Sequence, residues 1–161
     1  MLNFIAIHPA GLGDAIEDLV LFKAILKSNE NLNIHYLGNH FSTELADLSN
    51  ISNLKIYPIN KKTIVNAKTI LNPKNIIEIL RCPKYADLAY VFPGMNLKKT
   101  ALLKYFLKPK KYVGALLDYP TPNLRHIIPR QNYYDKIHYS MEGYHRLQMN
   151  KYYLSNYLEV G

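Results

Sequence analysis

Short apolar runs that end at glycine or proline alternate with amphipathic stretches along most of this chain. The first run, residues 3–8, ends at Pro9 and is followed from Asp14 by apolar residues at helical spacing. This alternation predicts βαβ units with right-handed crossovers, hence an α/β, Rossmann-like, mainly parallel sheet with flanking helices. We expect further strands at 33–37, 54–59, 86–92 and 111–115, and further helices at 41–48, 75–81 and 97–106.

The pattern changes after Tyr119, where prolines interrupt the periodicity. Beyond this irregular stretch the sequence predicts one final helix over 134–157. Tyrosine and leucine residues at helical spacing would line its packed face. These are Tyr139, Tyr144, Leu147, Tyr153 and Leu154.

The composition limits the class of protein to which this chain can belong, but it does not determine a function. Its 161 residues, 48% hydrophobic, suit a single domain over 1–161 with a real core. No apolar run reaches the ~18–20 residues of a membrane span, no signal peptide is evident, and a single cysteine, Cys82, excludes an internal disulfide. We therefore expect a cytoplasmic location and a structural Cys82. The net charge of +8 fits nucleic acid, an anionic membrane face or an anionic glycolipid.

The turn Gly11-Leu12-Gly13-Asp14 follows the first strand, and ligands of open α/β sheets bind at the carboxyl ends of strands. Two glycines would allow positive φ and a close approach of the backbone to a ligand. Asp14 stands where a helix N-cap is expected. It is also placed to take a proton from a sugar hydroxyl at the mouth of the cleft. The two interpretations are compatible.

Several other site types lack support. A dinucleotide fingerprint requires a small residue where Ile16 stands, and an acidic residue that the end of the second strand lacks. No Gly-Lys-Ser/Thr follows the turn, as a P-loop would require. The six histidines show no metal-ligand spacing, so we expect no metal site. His8 is equally compatible with orienting Asp14, with contacting an acceptor and with a place in the core.

The Gly-Leu-Gly-Asp turn before an apolar helix resembles the opening of the heptosyltransferase family, glycosyltransferase family 9. Later segments resemble that family's strand–Gly–helix–basic–Ile-Gly passage in the same order. They read Asp87-Leu88-Ala89-Tyr90-Val91-Phe92-Pro93-Gly94, Leu97-Lys98-Lys99-Thr100-Ala101-Leu102-Leu103 and Lys110-Lys111-Tyr112-Val113-Gly114. His138, Glu142 and Tyr144 resemble its segment rich in histidine, glutamate and aromatics.

The resemblance implies a metal-free GT-B enzyme with two Rossmann-like domains, of which this chain is similar to the N-terminal half. In that family the N-terminal domain holds an acceptor, usually the phosphorylated inner core of lipopolysaccharide. The C-terminal domain holds the nucleotide-sugar, typically ADP-heptose. The family's aspartate in the glycine turn is the general base of a one-step inverting transfer, and it corresponds to Asp14.

The sequence ends near the point where the family's interdomain linker would begin. We therefore expect an acceptor-binding domain without the nucleotide-sugar domain, with no cofactor of its own, and inactive alone or dependent on a partner chain or oligomer. An alternative hypothesis is a non-catalytic module that binds an anionic glycolipid or a protein partner. Binding of a lipopolysaccharide-core acceptor or of an anionic glycolipid is compatible with contact between the protein and the inner-membrane surface.

We predict acceptor contacts from residues at the carboxyl edge of the sheet. They are Gly11, Leu12, Gly13, Lys61, Lys62, Asn96, Lys98, Lys99 and Arg125. The lysine pairs could contact acceptor phosphates, and Asn96 is also a candidate N-cap. The run Lys108-Pro109-Lys110-Lys111 belongs to the opposite edge. Nucleic-acid binding is not expected, because the basic residues form no single stripe and no known motif.

Overall fold

The computed structural model describes residues 2–9, 11–59, 72–116, 133–139 and 145–160. Strands and helices alternate through most of this part of the chain. The strands are β1 (Leu2–Ile7), β2 (Leu32–Gly38), β3 (Leu54–Pro58), β4 (Leu88–Val91), β5 (Tyr112–Leu116) and β6 (Lys136–Tyr139). The helices are α1 (Leu12–Ser28), α2 (Phe41–Ser49), α3 (Pro73–Arg81), α4 (Leu97–Thr100), α5 (Leu103–Leu107) and α6 (Arg146–Leu154).

The six strands form one sheet in the order β3-β2-β1-β4-β5-β6, and every neighbouring pair is parallel. This confirms the predicted Rossmann-like α/β fold. The strand order reverses direction at β1, which pairs with β2 on one side and with β4 on the other. Open parallel sheets leave a crevice at such a switch point, outside the carboxyl ends of the two diverging strands.

Both faces of the sheet are covered, which explains why its strands read as nearly continuous apolar runs. Ile5 and Ile7 of β1 pack into the core cluster beneath α3, α4 and α5. Phe4 and Ala6 point the opposite way into the cluster formed with α1, α2 and α6. The helix α1, whose buried residues include Phe22, lies against that second face.

The prediction of one helix over 134–157 was wrong. Residues 136–139 form β6, which pairs in parallel with β5, and α6 spans only 146–154. Pairing with the edge of β5 overrode a tyrosine spacing that mimicked a helix. Tyr139 is exposed, Tyr153 and Leu154 are buried, and Leu147 packs partly buried against the core, while Tyr144 lies outside the described residues.

The predicted helix at 97–106 is interrupted, and two short helices stand in its place. In an uninterrupted helix the carbonyl of Thr100 would accept the amide of Lys104. Here that carbonyl accepts the hydroxyl of Tyr112 from β5, and the Lys104 amide bonds to Ala101 instead. A tertiary hydrogen bond thus divides the helical stretch.

No helix within the described ranges combines the length and the apolar character needed to cross a bilayer.

Candidate functional site

The crevice at the switch point is bordered by the chain segments that leave β1 and β4. The amide of His8 donates to the carbonyl of Leu37, and the amide of Phe92 donates to the carbonyl of Ile7, so both segments remain in the sheet one residue past their strands. Beyond Phe92 the chain turns at Gly94, whose φ of 98° suits glycine alone. Backbone hydrogen bonds therefore hold both segments in place where they leave the sheet.

The glycine turn differs from the prediction in its backbone. Gly11 is the N-cap of α1 with an extended conformation, φ −71° and ψ 176°, and Gly13 lies within the helix. Neither residue takes the positive φ that we expected. Apart from its chain neighbours and the backbone of its own helix, a Cβ added at Gly13 would meet no described atom within 4 Å, so there is open space beside this position.

Asp14 is not the N-cap; it is the third residue of α1. One carboxylate oxygen, Oδ1, accepts a hydrogen bond from Nη1 of Arg146, the first residue of α6. The other, Oδ2, lies 3.9 Å from the position that a Cβ on Gly11 would occupy. The side chain is 31% exposed, and because α1 follows β1 the carboxylate lies near the carboxyl end of that strand.

A second polar contact joins the same two helices. His145, the N-cap of α6, accepts the amide of Leu147 at 3.2 Å through Nδ1, and its Nε2 lies 3.4 Å from Oε1 of Glu17. Glu17 follows Asp14 by three residues on α1, so the two acids lie on neighbouring positions of one helix face. The start of α6 thus contacts the start of α1 twice.

His8 belongs to a buried polar cluster that does not include Asp14. Its Nδ1 lies 2.5 Å from Oδ2 of Asp18, which also accepts the hydroxyl of Tyr36 at 2.6 Å. The imidazole stacks on Phe92 with ring centroids 4.8 Å apart. His8 is therefore a core histidine that holds α1 against the end of β1. Among the described residues its Nε2 has no hydrogen-bond partner.

The protonation pattern of this cluster follows from its geometry. Burial and, secondarily, the nearby Asp18 carboxylate raise the pKa of Tyr36 well above its ordinary value, so the phenol remains a donor. The same Oδ2 lies 2.5 Å from Nδ1 of His8, so an ionised Asp18 accepts from both groups when His8 carries its proton on Nδ1. Oδ2 of Asp18 thereby joins His8 and Tyr36 in one buried cluster.

The predicted acceptor residues near β4 are placed at the carboxyl edge. Asn96 caps α4, since its side chain accepts the amides of Lys98 and Lys99 at 3.1 and 3.2 Å. Lys98 is exposed and Lys99 half-buried. Lys61, Lys62 and Arg125 lie outside the described residues.

The basic run at 108–111 lies at the opposite edge, as expected. The Lys110 ammonium is 3.3 Å from Asp87, whose carboxylate also accepts the amide of Asn3 at the start of β1. The Asn3 amide is the main cause of the lowered pKa of Asp87, with Lys110 adding to it. This cluster links the chain segments at the amino edge of the sheet.

Other chemistry finds little support. Within the described ranges no three His, Cys, Asp or Glu side chains converge to hold a metal ion. Cys82 is buried, which raises its pKa to about 12 and keeps the thiol protonated and unreactive.

Sequence reasoning missed Arg146, His145, Asp18 and Tyr36 as neighbours of this site. The sequence could have indicated that Asp18 lies near Asp14, because it follows Asp14 by four residues and so shares its helix face. It gave no indication that Arg146 contacts Asp14, since 132 residues separate the two.

The fold of this chain is similar to that of solved structures, although its sequence has no match. No protein-family model matches the sequence, and no curated protein sequence matches it. The structure of Escherichia coli heptosyltransferase WaaC with ADP matches 99% of this chain and 48% of its own, at a TM-score of 0.64 and 15% identity. WaaC with ADP-2-deoxy-2-fluoro heptose matches 91% of this chain and 45% of its own, at a TM-score of 0.59 and 14% identity.

The chain thus has the fold found in about half of a heptosyltransferase, and it spans about half the length of these structures. The resemblance stated from the sequence is confirmed at the level of the fold.

Proposed function

We propose that this chain is the acceptor-binding domain of an inverting glycosyltransferase of the heptosyltransferase type, with Asp14 as the general base. The observation that carries the proposal is the half-exposed carboxylate of Asp14 at the switch point of the sheet, one oxygen bound and the other facing the glycine turn. A carboxylate at a helix N-terminus is stabilised in its ionised form, which is the form a base needs.

The related structures support the substrate class. WaaC was solved with ADP and with a fluorinated ADP-heptose. We accordingly propose a nucleotide-sugar donor such as ADP-heptose, held by a second domain or partner chain, and an anionic saccharide acceptor such as lipopolysaccharide core. An acceptor of that kind would place the protein at the cytoplasmic face of the inner membrane.

The proposed reaction is a single displacement. Oδ2 of Asp14 takes the proton of an acceptor hydroxyl while the hydroxyl oxygen forms a bond to the anomeric carbon of the donor sugar. The bond from that carbon to the diphosphate oxygen breaks, and the nucleoside diphosphate leaves with the electron pair. One carboxylate suffices because the diphosphate needs no protonation to leave, and attack from the opposite face inverts the configuration.

The remaining predicted contacts have supporting roles. The open backbone at Gly13 would let the acceptor approach the start of α1, beside Gly11 and Leu12. Lys98 and Lys99, next to the end of β4, would neutralise acceptor phosphates. The same role for Lys61, Lys62 and Arg125 stays a prediction from the sequence.

The test is transfer of heptose from ADP-heptose to lipopolysaccharide core by the protein in its full natural form. Asp14→Asn preserves the size of the side chain but removes the base, so turnover should fall by about 10²–10⁴-fold. Glu17→Gln is the matched control, because it removes a carboxylate one turn further along α1 and should leave turnover within a factor of about two. Near-normal turnover in Asp14→Asn would exclude this mechanism.

A second candidate function is a non-catalytic module that binds a protein partner. Ile16 and Val20 of α1 are each 49% exposed and Leu48 of α2 is 84% exposed, and they line an apolar groove between the two helices. Exposed apolar surface of this kind often marks an interaction site. Calorimetry that detects no core oligosaccharide but a stable complex with another chain would favour this function.

A further inference from the structure

We infer that Arg146 is a positioning residue for the proposed base. It holds Oδ1 of Asp14 and so directs Oδ2 toward the glycine turn, where the acceptor hydroxyl would lie. The inference rests on the proposed function and adds a residue that no sequence motif indicates.

The geometry of the pair leaves half of the carboxylate available. Arg146 contacts Asp14 through Nη1 and Oδ1, and in the described part of the chain Oδ2 has no hydrogen-bond partner. The two side chains are 29% and 31% exposed, so the pair is partly open to solvent. A guanidinium bound to one oxygen restricts rotation of the carboxylate while leaving the second oxygen able to accept a proton.

Nothing within α6 accounts for an arginine at its first position. A cation there opposes the helix dipole, which favours negative charge at the N-terminus, and the first turn of α6 carries no acidic residue. The counter-charge for Arg146 comes from α1. The pair with Asp14 is therefore a contact between two helices that are distant in sequence.

Both helices are held firmly, so the pair is preorganised. Asp18 ties α1 to His8 at the end of β1. On α6, Asn150 accepts the buried hydroxyl of Tyr90 at 2.8 Å, and Tyr153 and Leu154 lie in the core. An ion pair between fixed elements loses less side-chain entropy on forming than one between free surface side chains.

Positioning of this kind affects turnover more than substrate binding. Without Arg146 the Asp14 side chain would sample other rotamers, and a base misplaced by about 1 Å costs on the order of 10²-fold in rate. The expected signature is therefore a fall in kcat at nearly unchanged KM.

The test compares Arg146→Met and Arg146→Lys with Arg81→Met in the full natural protein. Arg81 pairs with Glu78 at 3.3 Å on the exposed face of α3 and serves as the matched control. We expect Arg146→Met to lower kcat about 10- to 100-fold with KM for ADP-heptose within a factor of about two. Arg146→Lys should restore part of the lost kcat, and Arg81→Met should change neither kcat nor KM.

A second readout does not depend on turnover. A half-exposed ion pair contributes only about 0–1 kcal/mol to stability, so Arg146→Met should melt close to wild type. An unchanged kcat in Arg146→Met, or a fall in kcat that only follows a loss of folded protein, would overturn the positioning role while leaving Asp14 as the base. An inactive wild-type protein would instead overturn the proposed function, and this inference with it.

Discussion

Two carboxylates one turn apart on α1, Asp14 and Asp18, have opposite environments. Asp18 is 3% exposed and accepts both His8 and Tyr36, whereas Asp14 is 31% exposed and is held through one oxygen by Arg146. The same face of α1 therefore carries a buried aspartate with a structural role, Asp18, and a partly exposed aspartate near the start of the helix, Asp14. Burial and the number of partners, rather than residue type, separate the two roles.

The largest expected effect on stability comes from Asp18→Ala. The substitution leaves the Nδ1 of His8 and the hydroxyl of Tyr36 buried without their shared acceptor. We expect the free energy of unfolding to fall by about 3–5 kcal/mol in urea denaturation. The double variant His8→Leu/Asp18→Leu should recover part of that loss, since apolar replacement of a buried pair is often tolerated. A loss below about 1 kcal/mol for Asp18→Ala would remove the structural role assigned here.

A smaller effect on the free energy of unfolding should come from His35, through its pH dependence. It sets the pH dependence against which variants of Asp14 and Asp18 have to be compared. His35 on β2 contacts the hydroxyl of Tyr57 and the side-chain oxygen of Asn3, both at 2.9 Å. Burial, and then the nearby Lys55, lowers the pKa of His35 to about 4 from 6.5.

Because the unfolded chain binds this proton first, the free energy of unfolding should decrease as the pH falls from about 6.5 to about 4. Allowing for solvent screening of a half-buried ring, the contribution is roughly 1–2 kcal/mol. His35→Gln should flatten the curve in that window, measured by urea denaturation at several pH values. An equally steep curve in the variant would assign the slope to other groups.

The smallest expected effect on stability comes from Asp14→Asn. Exposed and half-exposed ion pairs contribute about 0–1 kcal/mol, so the midpoint of unfolding should hardly move. If this variant destabilised the protein as much as Asp18→Ala, the two acids would have to be regarded as one structural unit, and the division between them would fail.

Local sequence was enough to predict the strand–helix alternation and the place of Asp14 at the start of the first long helix. Both depend on residues close together in sequence, namely apolar periodicity and a glycine turn. The strand β6 was missed because Lys136 to Tyr139 carries only four residues of alternation, and its pairing with β5 is a tertiary contact.

The composition of the site was less predictable. The glycines suggested a left-handed turn, but the helix begins at Leu12 and Gly13 is helical, so their value lies in the absence of a side chain. Arg146 reaches Asp14 through the packing of α6 on the sheet, which no local pattern encodes. Whether Asp14, Lys98 and Lys99 contact an acceptor stays a prediction.

The central place of β1 has a consequence for how the chain is made. Its neighbour β4 lies far along the chain, and the amide of Asn3 bonds to Asp87, 84 residues later. During synthesis the first strand can pair with β2 early, but its other edge stays open until β4 has left the ribosome. A nascent chain that stalls before residue 91 would present the apolar segment 2–7 as an unpaired edge, so chaperone demand should be highest in that interval.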